Sequence, residues 1–182
     1  MHSEAQARRF GKDLLRRFTS KKSLFQHGSG DRTKKARAIL HTMAVEWECK
    51  FHPYKPRERR EFLCDFVWLR WSKEPRALRR AVFAAECEWS ARPKSILYDF
   101  RKLMLLKADL KLCIYQIAKG AKPEHAASIR ADITRALRAY EQYARGEHYF
   151  LLELHRKEGK LKLFHLSVHP GEAVGSVEIT PP

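Results

Sequence analysis

The sequence predicts an α+β fold whose core follows the order helix, three strands, helix, strand over residues 31–118. Apolar residues recur at helical spacing in residues 31–46 and 94–108, which predicts two core helices. Runs rich in aromatic and β-branched residues predict the strands, which occupy residues 48–54, 61–71, 81–89 and 110–118. A chain that alternates such elements folds as layers of helix and sheet around one core.

Two helices are predicted before the first strand. Residues 4–19 set four apolar side chains among arginines and lysines, a pattern typical of a basic amphipathic helix: Phe10, Leu14, Leu15 and Phe18. The first core helix is predicted to start at Asp31, a suitable N-cap residue, and to run to about Glu46.

Polar connections separate the first three strands. The charged stretch "KPRERR" contains proline and predicts a turn, and "SKEPRALRR" predicts a solvated connection. The third strand, "AVFAAECEW", is apolar at most positions, which predicts burial on both of its faces. The helix "KSILYDFRKLMLLKA" and the strand "LKLCIYQIA" then complete the core.

A smaller extension follows the core. Pro123 is predicted to open a helix that Gly146 ends, and "YFLLEL" and "LKLFHLSV" predict a β-hairpin across "HRKEGK". The tail after His169 contains proline and glycine and is predicted to be loose. We therefore interpret residues 1–182 as one domain, with the core at 31–118, the extension at 119–168 and the tail at 169–182.

The charge of the chain favours a polyanionic partner. With 37 Lys and Arg residues against 21 Asp and Glu residues, the formal net charge is +16, which predicts nucleic acid as the partner. The alternative is a basic surface without a partner. No apolar stretch approaches the roughly 20 residues that cross a bilayer, so we expect no membrane partner. The oligomeric state stays open, with a homodimer as one alternative.

The cysteines predict an intracellular protein. All four cysteines lie in or beside predicted strands, and they form no C-x-x-C pair. No secretory leader precedes them, so we expect reduced thiols in the cytoplasm, with association with the nucleoid as an alternative.

Three acidic residues interrupt the apolar strands. Glu86 and Glu88 alternate in the third strand and therefore share a face, while Asp65 lies in the middle of the preceding predicted strand. If these strands pair, the three carboxylates converge, and such a cluster needs a compensating positive charge. Oxygen ligands of this kind suit Mg²⁺ or Mn²⁺. Lys102, in the following helix, is a candidate to orient or deprotonate water and to stabilise developing charge; Glu88 is the alternative base.

Structural alternatives exist for each of these residues. Glu88 can mark the exit of its strand, and Asp65 can bond a neighbouring backbone group or pair with an arginine such as Arg70. Lys102 can lie on a solvated helix face. The tryptophans divide similarly: Trp47 and Trp68 have apolar flanks that predict core packing, whereas the strand-end residues Trp71 and Trp89 can stack on bases or pack.

This order of elements and acids resembles the PD-(D/E)XK nuclease superfamily, which has the restriction-endonuclease-like fold. In that family an αβββαβ core carries an aspartate on the second strand and a (D/E)-x-K motif on the third. The resemblance implies that Asp65 takes the first role and the "ECE" of residues 86–88 the second. Cys64 stands where the motif has proline, and Glu88 stands at the lysine position.

Other members of the superfamily are similar to this chain in those departures. Some use E-x-E, and others take their lysine from the following helix, where this chain has Lys102. The resemblance implies a Mg²⁺- or Mn²⁺-dependent nuclease that cleaves phosphodiester bonds, with Asp65, Glu86 and Glu88 as metal ligands. The alternative is a nucleic-acid-binding or assembly protein that keeps the fold without catalysis.

Overall fold

The structure is a computed structural model that describes residues 3–20, 28–52, 64–142, 146–168 and 174–180. The helices in these ranges are α1 (Glu4–Thr19), α2 (Ser29–Glu46), α3 (Pro93–Leu105) and α4 (Pro123–Ala139). The strands are β1 (Lys50–His52), β2 (Phe66–Trp71), β3 (Leu78–Glu88), β4 (Ala108–Ile117), β5 (His148–His155), β6 (Lys160–Ser167) and β7 (Gly175–Ile179).

The strands form one mixed sheet in the order β1-β2-β3-β4-β5-β6-β7. Neighbours β1 to β3 are antiparallel, β3 to β5 are parallel, and β5 to β7 are antiparallel again. Parallel neighbours require a crossover, and α3 and α4 provide the two crossovers of this sheet. The carboxyl ends of β3, β4 and β5 therefore meet at one edge.

Two apolar clusters cover the two faces of the sheet. The first packs α1 and α2 against Phe83 and Ala85 of β3, and the second packs α3 and α4 against Ala84. Because side chains alternate along a strand, Glu86 and Glu88 lie on the α3 face, whereas Cys87 packs against the first cluster. The alternation of side chains along β3 thus places both glutamates on the face that α3 covers.

Helix α1 lies close against the sheet. It begins with a capping box in which Ser3 and Gln6 exchange hydrogen bonds, and it buries Phe10, Leu14 and Phe18. A Cβ atom at Gly11 would lie 2.4 Å from Ile179 Cδ1 and 2.9 Å from Phe150 Cε1. This close approach explains a glycine in a helix interior, where it costs roughly 0.5–1 kcal/mol relative to alanine.

The mixed α and β class predicted from the sequence is confirmed. Trp47 and Trp68 pack in the first cluster as predicted. Helix α2 begins at Ser29 with Gly28 as its N-cap, so Asp31 lies in the first turn, where its charge favours the positive end of the helix dipole. Within the described residues, no helix is long and apolar enough to cross a membrane. The predicted turn "KPRERR" lies outside the described residues.

Several predicted boundaries are wrong. Asp65 lies in a bend just before β2, not in the middle of a strand. Strand β3 already begins at Leu78, inside the predicted solvated connection, because Leu78 and Arg80 pair with β2. Helix α4 ends at Ala139, since Tyr140 is extended and the chain turns back toward β5. The tail contains β7, which pairs with β6 and places Ile179 against α1.

We expect Gly11→Val to destabilise the protein by about 1–3 kcal/mol, because the new side chain must displace Phe150 and Ile179. Urea denaturation monitored by circular dichroism measures this free energy of unfolding. Gly30→Val is the matched control, since a Cβ atom at Gly30 meets nothing within 4 Å. Equal unfolding free energies for both variants would contradict the close packing of α1.

Candidate active site

A buried glutamate and a lysine meet between β3 and α3. Glu86 is 2% exposed near the end of β3, and its Oε1 atom lies 2.7 Å from Lys102 Nζ. Lys102 Nζ also lies 3.4 Å from Asp99 Oδ1. The ammonium group therefore bridges two carboxylates, one from the strand and one from its own helix.

The local sequence fixes this contact from both sides. Pro93 is the first residue of α3, and Ile96, Phe100 and Leu103 anchor the helix in the second apolar cluster. Asp99 and Lys102 are one turn apart, so they share a side of the helix. Because that helix is the crossover from β3 to β4, it passes over the face on which Glu86 lies.

Asp65 reaches the same place from the bend before β2. Its Oδ2 atom accepts a hydrogen bond of 2.8 Å from the backbone N–H of Cys87. Phe66 pairs with Ala85, so Asp65 stands opposite Glu86 just beyond the last rung of the β2–β3 ladder. Arg70, the alternative partner predicted for Asp65, donates instead to the carbonyl oxygen of Trp47.

Glu88 is the last residue of β3 and is half-buried. Its Oε1 atom accepts a hydrogen bond of 2.5 Å from the backbone N–H of Ser90, which closes the turn into α3. Glu88 thus lies on the same face as Glu86 and at the same time marks the exit of the strand.

The environment of Glu86 opposes its ionisation. The pKa of Glu86 is raised to about 8: burial is the largest cause, nearby Lys102 opposes it, and the charges of Asp65 and Asp99 add to the rise. Burial alone would lower the pKa of Lys102, but Glu86 and Asp99 outweigh that effect and raise it. Glu86 Oε1 is fully buried and lies 2.7 Å from Lys102 Nζ, but within the described residues it has no partner that meets the geometry of a hydrogen bond. The site therefore holds a carboxylate whose charge is incompletely compensated.

The arrangement of the acidic side chains indicates whether they could bind a metal ion. Among the residues that the structure describes, no group of three or more His, Cys, Asp or Glu side chains is arranged to hold a metal ion. The expected set of three carboxylate ligands is therefore not assembled in the structure. The oxygens of Asp65 and Glu86 still suit Mg²⁺, which often binds one or two carboxylates and completes its shell with water and phosphate oxygens.

Sequence reasoning assigned no role to Asp99. The only signal for it is the spacing D-x-x-K in "DFRKL", which places an acid one turn before the lysine. This spacing is common on solvated helices. Its meaning here depends on Glu86, which the sequence separates from Asp99 by thirteen positions.

A second buried acid, Glu153 of β5, lies on the same face and was also missed. It is aligned with Glu88 through Tyr115 of β4. Its carboxylate accepts from the Tyr115 hydroxyl at 2.8 Å, contacts Arg130 Nη1 at 2.6 Å, and lies 2.8 Å from His155 Nε2. Burial raises the pKa of Glu153, but the bonds from His155, Arg130 and Tyr115 prevail and lower it.

The sequence matches no family model, and no curated protein matches it either. The proposed function therefore rests on the geometry of the site.

We expect the stability of the wild type to fall, relative to Glu86→Gln, as the pH rises between about 5 and 8. Folded Glu86 keeps its proton up to its raised pKa of about 8, whereas the unfolded chain releases it near the usual value of 4.5. The folded state then binds more protons in this range, so raising the pH favours unfolding. Glutamine carries no such proton.

Urea denaturation in EDTA at a series of pH values measures the difference. Glu74→Gln is the matched control, because Glu74 is exposed in the loop before β3. Parallel stability curves for the wild type and Glu86→Gln would show that burial does not raise the pKa of Glu86.

Proposed function

We propose that this protein is a Mg²⁺- or Mn²⁺-dependent nuclease of the PD-(D/E)XK type that cleaves phosphodiester bonds, with DNA as the first candidate substrate. The observation that carries the proposal is the buried contact between Glu86 and Lys102. A buried acid with a strongly shifted pKa beside a specific charged partner is typical of functional sites. Structural ion pairs usually lie at the surface or are fully hydrogen-bonded.

The arrangement of elements supports this assignment. Helix α2, strands β1 to β3, helix α3 and strand β4 follow the αβββαβ order of that superfamily. Asp65 stands in the bend just before the second strand, Glu86 near the end of the third, and Lys102 on the helix that follows. Glu86 and Lys102 correspond to the positions that the resemblance implies for the acid of the third strand and for a lysine taken from the helix, and Asp65 lies one residue before the second strand.

Asp65 and Glu86 provide the oxygens available for a divalent cation. Glu88 lies on the same face of β3 as Glu86 and is more exposed. When bound, the ion would polarise a phosphoryl oxygen and lower the pKa of a coordinated water. Asp65 is held for this task by the Cys87 amide, which fixes its carboxylate beside Glu86. To bind the cation, the Glu86 carboxylate must give up its contact with Lys102.

Lys102 acts in this proposal as a fixed positive charge. Its raised pKa keeps the ammonium protonated, so it suits stabilisation of the negative charge that develops on the phosphate rather than removal of a proton. Asp99 keeps the ammonium next to the site when Glu86 is engaged elsewhere, since it contacts the same nitrogen. The role of base then falls to Glu88, whose carboxylate is partly exposed to water.

The second candidate function is a nucleic-acid-binding or assembly protein without catalysis. One observation favours it: Lys102 already supplies the positive charge next to Glu86 that a metal ion would supply. In that case the pair stabilises the fold, and the net charge of +16 serves binding alone.

Nicking of supercoiled plasmid by the purified protein, with Mg²⁺ or Mn²⁺ and with EDTA, separates these two functions. We expect metal-dependent nicking by the wild type, no nicking by Glu86→Gln, and a loss of at least about 10²-fold for Lys102→Gln. Lys107→Gln, an exposed lysine just beyond α3, should nick like the wild type.

Nicking that survives the double variant Asp65→Asn/Glu86→Gln would refute the proposed site. Plasmid binding by the wild type without nicking in either metal would favour the non-catalytic binding protein.

A further inference from the structure

A buried arginine lies on the other face of the same sheet edge. Arg32, in the first turns of α2, is 4% exposed. Its Nη1 atom donates to Gln116 Oε1 at 2.5 Å, and its Cζ atom lies 4.9 Å from the centroid of the Trp89 ring. Trp89 directly follows Glu88, so this arginine sits next to the strand end that carries the paired glutamates.

Within the described part of the chain, Arg32 has no carboxylate partner. Its contacts there are an amide oxygen and an indole face, and its buried Nε atom has no hydrogen-bond partner. Burial lowers the pKa of Arg32, and the charge of Arg156 lowers it further. A buried charge without a counter-charge is costly, because desolvation is not repaid by an ion pair.

The surrounding residues hold Arg32 in place. Gln116 near the end of β4 donates through Nε2 to the carbonyl oxygen of Trp89, and Trp89 Nε1 donates to Thr33 Oγ1 at 2.8 Å. The indole and the amide thus fix the guanidinium at the carboxyl ends of β3 and β4. Arg156, exposed just after β5, adds a second positive charge at the same edge.

We propose that Arg32 and Arg156 form a phosphate-binding site for the nucleic-acid substrate, at the edge of the sheet beside Glu88. This inference rests on the proposed function for the identity of its ligand. A phosphate supplies the missing counter-charge, and the planar guanidinium forms paired hydrogen bonds with phosphate oxygens. Ligands of open α/β sheets commonly bind outside the carboxyl ends of the parallel strands.

The site is tested by two measurements that do not depend on catalysis. The first is the salt dependence of duplex DNA binding in EDTA, measured by fluorescence anisotropy for the wild type, Arg32→Gln and Arg156→Gln. Loss of one phosphate contact should lower the slope of log Kd against log salt concentration by about 1. Lys34→Gln is the matched control, since it removes the same charge from α2 and its side chain is 81% exposed.

The second measurement is the thermal midpoint in inorganic phosphate, compared with chloride at equal ionic strength. We expect phosphate to raise the Tm of the wild type and of Lys34→Gln by about 2–4 °C at several times the Kd. Arg32→Gln and Arg156→Gln should lose this rise. Arg156 is exposed, so its variant keeps the test valid if Arg32→Gln does not fold.

Four outcomes are informative. Loss of both responses in the two arginine variants alone supports the site. Responses equal to those of Lys34→Gln would overturn it and leave Arg32 as a packing residue on Trp89. A phosphate response with an unchanged salt slope would contradict nucleic acid as the ligand. An intact arginine-dependent response in a wild type that never nicks plasmid would refute the nuclease and leave the phosphate site standing.

Discussion

The buried carboxyl group of Glu86 is the constraint on which the rest of the site depends. A carboxylate that is 2% exposed cannot stay charged unless positive charge or hydrogen-bond donors replace the water that it lost. Lys102 supplies part of that compensation from α3, and the negative charges of Asp65 and Asp99 act against it. The geometry of the crossover helix and the bend before β2 both serve to bring these groups to one place. The proposed function rests on this incomplete compensation of the Glu86 charge.

Glu153 shows what a satisfied acid looks like in the same sheet. It is also fully buried, yet Tyr115, Arg130 and His155 saturate its oxygens, and its pKa is lowered. Glu86 has a raised pKa and a fully buried oxygen that accepts no hydrogen bond from the described residues. The two residues differ in donors rather than in burial, and this difference is the basis for proposing a functional role for Glu86 and not for Glu153. Arg32 is the corresponding case for a positive charge: it is buried, and no acid among the described residues pairs with it.

The sequence predicted those features that depend on local period and missed those that depend on tertiary contact. The alternation around Cys87 placed Glu86 and Glu88 on one face, and the helical spacing over residues 94–108 placed Lys102 on α3. Asp65 lies outside β2 and bonds the Cys87 amide, a contact that no pattern in residues 61–71 encodes. Strand β7 forms because β6 offers an edge, and α4 stops early because the chain must return to β5. Asp99 and Arg32 gain meaning only from partners far away in the sequence.

The measurement that tests the central account most directly is a calorimetric titration of the protein with Mn²⁺, without nucleic acid. The wild type should bind Mn²⁺, Glu86→Gln should not, and Glu74→Gln, altered at an exposed acid, should bind like the wild type. Proton release should accompany binding, because Glu86 holds a proton near neutral pH and must lose it to become a ligand. Equal Mn²⁺ binding by the wild type and Glu86→Gln, or no binding by the wild type, would contradict the account and reduce Glu86 and Lys102 to a structural pair.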